Sequence, residues 1–113
     1  ANIIQNSTGW DVLSDGLSQE SKYVDYVSWI RGMLFVQAAG NNGDGYGNGT
    51  GNIVKPCDAY NVLCVRATNY NFNGVADFSS TSLTGDGRHA IRVLAPGEFN
   101  FYRQFRCRRF YPQ

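Results

Sequence analysis

The residue types that carry most enzyme chemistry are scarce in this sequence. It has one histidine, His89, and three cysteines, Cys57, Cys64 and Cys107. The spacing of these residues fits no pattern of a structural zinc site. His89 ends a Gly-Asp-Gly-Arg-His loop between two predicted strands, where a solvated surface histidine is a better interpretation than a general base. The sequence therefore predicts neither a metal centre nor a catalytic histidine.

The cysteines leave two interpretations open. Cys57 and Cys64 can form a disulfide if the loop between them folds back, which would suit a secreted protein. Alternatively, they are two separate half-buried thiols. We favour the disulfide, although the odd number of cysteines does not fix the redox compartment.

Asn41 is a second candidate for chemistry. It follows the apolar run 33–39 and lies in the loop 40–51, which contains six glycines. A neutral amide on a loop at the end of a strand can be aimed at a developing negative charge without titrating. Taken without further context, an Asn in such a loop more often stabilises a turn. The residues alone leave both roles open.

The elements around Asn41 follow from the hydrophobic pattern. Residues 2–7 predict a short buried strand, and residues 17–30 have the three- and four-residue apolar spacing of a helix that Gly32 would end. The run 33–39 is too short for another helix and predicts a parallel strand covered on both faces. Three residues are available to cap the helix: Ser14, Asp15 and Ser18.

A strand, a helix and a strand in this order predict a right-handed crossover in a parallel α/β sheet. The ligand cleft of such a sheet lies at the carboxyl ends of its strands, so residues 7–9 and 40–43 should face one cleft. Further strands are predicted at 61–68, 75–78 and 91–94.

Composition excludes several partners. The net charge is +1, and 42% of the residues are hydrophobic. A charge this close to zero gives no reason to expect nucleic acid or another polyanion as a partner. No run approaches the roughly 18 apolar residues of a membrane helix, and the first residues show no signal-peptide pattern. The start also lacks a methionine, which suggests that the sequence begins in mid-protein.

The last residues differ from the rest of the chain. Four of the ten basic residues lie in the last eleven positions, and no acidic residue follows Glu98. Interleaved arginines and aromatics could stack on single-stranded nucleic acid. We favour a divergent or artificial end instead. The predicted division is therefore a partial domain at 1–97 and a divergent basic, aromatic tail at 98–113.

Five segments carry recognisable motifs in a characteristic order: 3–9, 35–43, 56–68, 76–80 and 94–97. Ala-Ala-Gly-Asn at 38–41 after an apolar strand, Phe-Ser-Ser at 78–80 and Ala-Pro-Gly at 95–97 are the most specific. Together they resemble the central part of the subtilisin-like serine proteases, the subtilase family, over about residues 2 to 97. The resemblance implies an α/β fold, the central part of a subtilisin-like parallel sheet with a flanking helix, incomplete at both ends.

The resemblance assigns roles to seven residues. It implies that Asn41 donates its side-chain amide to the oxyanion of the tetrahedral intermediate. It implies that Ser7, Thr8 and Gly9 pair with an extended substrate backbone. It also implies that Ala38, Ala39 and Gly40 form one wall of the primary specificity pocket, although packing in the core is the alternative for the two alanines. Where the family often has Leu-Gly-Gly, this chain has Thr8-Gly9-Trp10.

The loop at Pro56 has two further expectations from the resemblance. The peptide bond before this proline is often cis in the family. Related enzymes also bind a weak cation near this loop through backbone carbonyls, so the resemblance allows calcium and no other cofactor.

The three motifs that carry the family's triad are absent from the sequence: Asp-Thr-Gly, His-Gly-Thr and Gly-Thr-Ser-Met-Ala. The expectation is therefore an internal fragment of a serine endopeptidase that uses a Ser-His-Asp triad on polypeptide substrates and is secreted or vesicular. The fragment itself should be inactive. The alternative is a non-catalytic remnant of the fold that binds a peptide or a protein. The oligomeric state has no sequence signal.

Overall fold

The computed structural model describes residues 2–10, 14–43, 53–81 and 83–98. Within them, four strands and one helix follow in the order β1 (Ile3–Asn6), α1 (Gln19–Arg31), β2 (Leu34–Ala38), β3 (Val62–Thr68) and β4 (Ile91–Pro96). The strands form one sheet in the order β1-β2-β3-β4, and each neighbouring pair is parallel. The predicted α/β class with a parallel sheet is confirmed.

Helix α1 has well-defined ends. The hydroxyl of Ser18 accepts a hydrogen bond from the backbone N–H of Ser21 at 3.2 Å, so Ser18 is the N-cap among the three candidates. The helix stops at Gly32, whose φ of 61° is the left-handed conformation that glycine adopts most readily. In the described part of the chain, no helix has both the length and the hydropathy to cross a membrane.

The sheet is less covered than the sequence predicted. Ile3 in β1 is 62% exposed and Leu34 in β2 is 44% exposed, so the expectation of two buried strands is wrong at these positions. Among the described elements, α1 packs on β2 and β3, and β1 lies at the edge of the sheet beyond it. Within the run 33–39, only Gln37 and Ala39 are buried.

The strand predicted at 75–78 is also wrong. Val75 makes a single antiparallel bridge to Thr68, and a turn follows in which Ser79 N–H donates to the carbonyl of Ala76 at 2.9 Å. Strand β4 continues to Pro96, two residues past its predicted end. The apolar side chains of 75–78 therefore belong to a loop that crosses the strand ends.

A disulfide joins Cys57 to Cys64, with the two Cα atoms 5.2 Å apart, so the favoured pairing is confirmed. Both cysteines are fully buried and pack with Ala39 and Ile53 in the hydrophobic core. The bond attaches the loop after Pro56 to the middle of β3. Residues 99–113, which include Cys107 and all of the predicted tail 98–113 except Glu98, lie outside the described residues.

Asp58 connects the loop before α1, the first turn of α1 and the loop that carries Arg88. Asp58 has no exposed surface, and its carboxylate accepts hydrogen bonds from the Gly16 N–H and the Ser21 hydroxyl, both at 2.7 Å. The guanidinium of Arg88 donates to the Asp58 carbonyl at 2.8 Å and lies 3.9 Å from the centre of the Tyr60 ring. A buried charge is costly unless it is hydrogen-bonded, so these contacts are needed to keep Asp58 buried.

Candidate functional site

The candidate site lies where β1 and β2 end. The sheet register places Asn6 beside Gln37, so the residues that follow each strand leave the sheet at the same edge. Two cavities open there, of about 440 Å³ and about 330 Å³. Asn41 is exposed and lines both of them. This is the cleft position that the sequence predicted for a parallel sheet.

The smaller cavity brings most of the predicted residues together. One side is formed by Ser7, Thr8 and Gly9, and the other by Gly40, Asn41 and Asn42. Ser7, Gly40 and Asn41 also line the larger cavity. The structure therefore places five of the seven predicted residues around one pocket.

The two alanines lie elsewhere. Ala38 and Ala39 line the larger cavity and not the smaller one. Ala39 is 1% exposed and packs in the core with Ile53 and the two bridged cysteines. Its backbone carbonyl accepts from the Val54 N–H at 3.0 Å. Core packing, the alternative that the sequence left open, describes the side chain of Ala39.

Val54 is a pocket residue that sequence reasoning missed. It lies in the smaller cavity between the two walls and is 7% exposed. A Cβ atom at Gly40 would be 2.6 Å from its Cγ1 atom, and a Cβ at Gly9 would collide with its Cγ2 atom. Val54 thus closes the floor between Gly9 and Gly40. Its place two residues before Pro56 gave no signal, because its contacts depend on how the loop folds.

The loop that carries Asn41 is held by the Phe-Ser-Ser segment. Ser80 N–H donates to the carbonyl of Gly40 at 3.0 Å, and its hydroxyl accepts from the Asn42 N–H at 3.1 Å. The Gly43 N–H donates to the carbonyl of Phe78 at 2.9 Å. These bonds fix the backbone on both sides of Asn41. The segment was noticed in the sequence only as part of the resemblance, and the structure gives it a positioning contact.

The wall of the smaller cavity formed by residues 7–9 is held by two side-chain amides. Gln37, fully buried, donates from Nε2 to the carbonyl of Thr8 at 2.9 Å. Asn6 donates to the same carbonyl at 2.8 Å and to Oε1 of Gln37 at 2.7 Å. The segment 7–9 is therefore held by hydrogen bonds from the interior side.

The larger cavity also has a charged lining residue, Arg66, and burial lowers its pKa.

The loop at Pro56 is where the resemblance implies a weak cation site. The Lys55–Pro56 bond is cis, as the resemblance implied. The carbonyls of Val54, Lys55 and Pro56 already accept backbone hydrogen bonds, and that of Asp58 accepts from Arg88. No group of three His, Cys, Asp or Glu side chains that could hold an ion occurs in the described ranges. Because a carbonyl oxygen has two lone pairs, these hydrogen bonds do not decide the matter, and calcium at this loop stays a prediction from the resemblance.

His89 takes no part in the strand-end site. It is exposed and lines a separate surface cavity with Tyr60, Arg88 and Arg92. The interpretation of a surface histidine agrees with this position.

The parallel four-stranded sheet with a helix packed on it defines an α/β architecture. The family model of the subtilase family matches residues 1–110. The chain belongs to the subtilase family.

Solved structures show the same fold. The chain is similar to the prenylagaramide maturation protease PagA, with a TM-score of 0.64 and 24% identity over 86% of this chain. It is also similar to sphericase, with a TM-score of 0.61 and 31% identity over 84% of the chain. A psychrophilic protease matches with a TM-score of 0.60 and 30% identity over 84% of the chain. The chain spans 31% of the length of each of these proteins.

Proposed function

We propose that this chain is part of a serine endopeptidase domain, in which it supplies the oxyanion amide and one side of the substrate cleft. The observation that carries the proposal is the position of Asn41, exposed at the mouth of two cavities beside residues 7–9. Acyl transfer from a peptide passes through a tetrahedral intermediate whose oxygen becomes negative. A neutral amide held on a backbone fixed by Ser80 is suited to stabilise that charge.

The same proposal assigns the substrate to the two walls of the smaller pocket. Ser7, Thr8 and Gly9 would pair with an extended peptide backbone, in the manner of a strand added to a sheet edge. The pocket between them and Gly40 would take the side chain next to the scissile bond. Val54 limits the depth of this pocket, so we expect small or medium apolar side chains to be preferred.

The nucleophile, the base and the acid would come from a Ser-His-Asp triad, as in the rest of the family. None of the three triad motifs occurs in the 113 residues. We therefore propose that these residues alone do not hydrolyse peptides. Secretion is part of the proposal, and the buried Cys57–Cys64 disulfide supports it, because such bonds persist in oxidising compartments.

The test is peptide hydrolysis by the full-length gene product and by its Asn41→Ala variant. Losing one oxyanion donor should lower kcat by roughly a hundred- to a thousandfold with little change in KM. Asn2→Ala is the matched control, since Asn2 is exposed and lies outside both cavities. Equal kcat values for the Asn41→Ala variant and the wild type would contradict the role of Asn41.

A second candidate, the non-catalytic peptide-binding remnant, is favoured only by the missing triad motifs. Binding of an extended peptide without any turnover by the full-length product would support it. Turnover would exclude it.

A further inference from the structure

Two side-chain amides, one buried and one half-buried, lie beside the wall formed by residues 7–9. Gln37 is 0% exposed and stands opposite Asn6 in the register of β1 and β2. Burying an amide without hydrogen bonds is costly, so a Gln in the middle of a short apolar strand needs partners. Two of its partners lie outside its own strand: its Nε2 donates to the Thr8 carbonyl, and its Oε1 accepts from Asn6. Its Nε2 also donates to the carbonyl of Ala38 in β2 at 3.2 Å.

Asn6 completes the contact with Thr8. Its Nδ2 donates to the Thr8 carbonyl at 2.8 Å, while its Oδ1 accepts from the Thr8 N–H at 3.3 Å and from the Thr8 hydroxyl at 2.8 Å. The carbonyl, the N–H and the hydroxyl of Thr8 are thus all bound by the two amides. We call this arrangement the amide clamp, consisting of Asn6, Gln37 and Thr8.

The amide clamp holds a residue that lies beyond the end of the pairing between β1 and β2. Pairing between β1 and β2 ends at Asn6 and Gln37, so Thr8 lies beyond the last ladder pair of these strands. An extended backbone turns successive carbonyls to opposite sides. Holding the Thr8 carbonyl towards Gln37 therefore leaves the peptide groups of the flanking residues, Ser7 and Gly9, to face the other way.

We propose that Gln37 and Asn6 are positioning residues that preset the 7–9 segment for pairing with an extended peptide. This proposal rests on the proposed function, because it names what orders the substrate-pairing wall. The two amides touch no substrate themselves and act through Thr8. Their effect should grow with the number of substrate residues that lie along the segment.

The experiment uses the full-length gene product and a series of peptide p-nitroanilides with one to four residues. The variants are Gln37→Met, Asn6→Met and the double variant, and Gln19→Met, an exposed position at the start of α1, is the matched control. Replacing both amides leaves no unsatisfied buried partner between them, so the double variant remains folded if a single variant does not. Hydrogen exchange at residues 7–9 is measured on each variant.

In the double variant, we expect kcat/KM for the four-residue substrate to fall about tenfold, mainly through KM, since the four hydrogen bonds that hold Thr8 are lost and each has a modest net value. The one-residue substrate should change by less than about twofold, and the Thr8 amide should exchange faster while β3 is unaffected. Equal losses on short and long substrates, or unchanged exchange at Thr8, would overturn the positioning role alone. A wild-type protein that hydrolyses none of the peptides would overturn the proposed function and the positioning role together.

Discussion

The side chain of Val54 occupies the space that a side chain at Gly40 would need. A Cβ at Gly40 would be 2.6 Å from Val54 Cγ1 and 2.8 Å from the Ser80 hydroxyl oxygen. Gly9 and Gly40, on opposite sides of the smaller pocket, therefore both lie against Val54. Val54 thus limits the depth of the pocket and leaves no room for a side chain at Gly40.

Shortening Val54 should enlarge the pocket. In Val54→Ala, we expect the ratio of kcat/KM for a phenylalanine over an alanine next to the scissile bond to rise roughly tenfold, because one or two methyl groups in an apolar pocket are worth about 1–3 kcal/mol. Val93→Ala is the control, since Val93 is 39% exposed on β4 and lies outside both cavities. An unchanged ratio would show that Val54 does not limit the substrate side chain.

Adding a methyl group at Gly40 should displace the loop. Gly40 has a φ of 111° and no room for a Cβ, whereas Gly32 has a φ of 61° and open space around it. Gly32→Ala should cost about 1–2 kcal/mol of unfolding free energy through backbone strain alone. Gly40→Ala adds a steric clash and should cost more, about 3 kcal/mol or above. Denaturant unfolding of the two variants checks the difference, and equal losses would contradict the clash.

The sequence predicted the sheet more reliably than its surroundings. Strand 61–68 and the helix ending at Gly32 were found because their apolar periodicity and their end signals are local. The loop 75–78 was mistaken for a strand because apolar residues look alike in a strand and in a loop packed on strand ends. The exposure of Ile3 depends on what covers β1, which no local pattern encodes.

The candidate site was also predicted only in part. Asn41, Gly40 and residues 7–9 were predicted from strand ends and a family resemblance, and the structure brings them around one pocket. Val54 and the contacts of Gln37 with residues 6–8 were missed because these partners are distant in sequence. Gln37 in an apolar run was the one visible sign, since a polar residue in a buried strand requires a partner.

The buried carboxylate of Asp58 should matter more for stability than any exposed acid nearby. Asp58→Ala leaves the Gly16 N–H and the Ser21 hydroxyl without their acceptor, and we expect a loss of about 3 kcal/mol or more. Asp77→Ala, at an exposed position, is the control and should change stability little. Thermal unfolding of both variants measures the difference. Comparable Tm values would contradict a stabilising role of the Asp58 hydrogen bonds.

The ion pair between Asp86 and Arg88 should give a small pH-dependent contribution. The hydrogen bond from Arg88, 2.8 Å from Nε to Oδ2, and the one from the Thr84 hydroxyl lower the pKa of Asp86 below its usual value of 3.8. A carboxyl group with a lowered pKa in the folded state stabilises the fold above its unfolded pKa and loses this contribution as the pH falls through the folded pKa.

Wild-type protein should therefore be slightly more stable than Asp86→Asn at neutral pH, and the difference should shrink as the pH falls below about 3.8. The two side chains are partly exposed, 27% for Arg88 and 33% for Asp86, so the difference should be small and should decrease with added salt. Unfolding midpoints of both proteins between pH 7 and pH 2 are the measurement. A difference that stays constant across this range would show that the stabilising contact does not involve the ionised carboxylate.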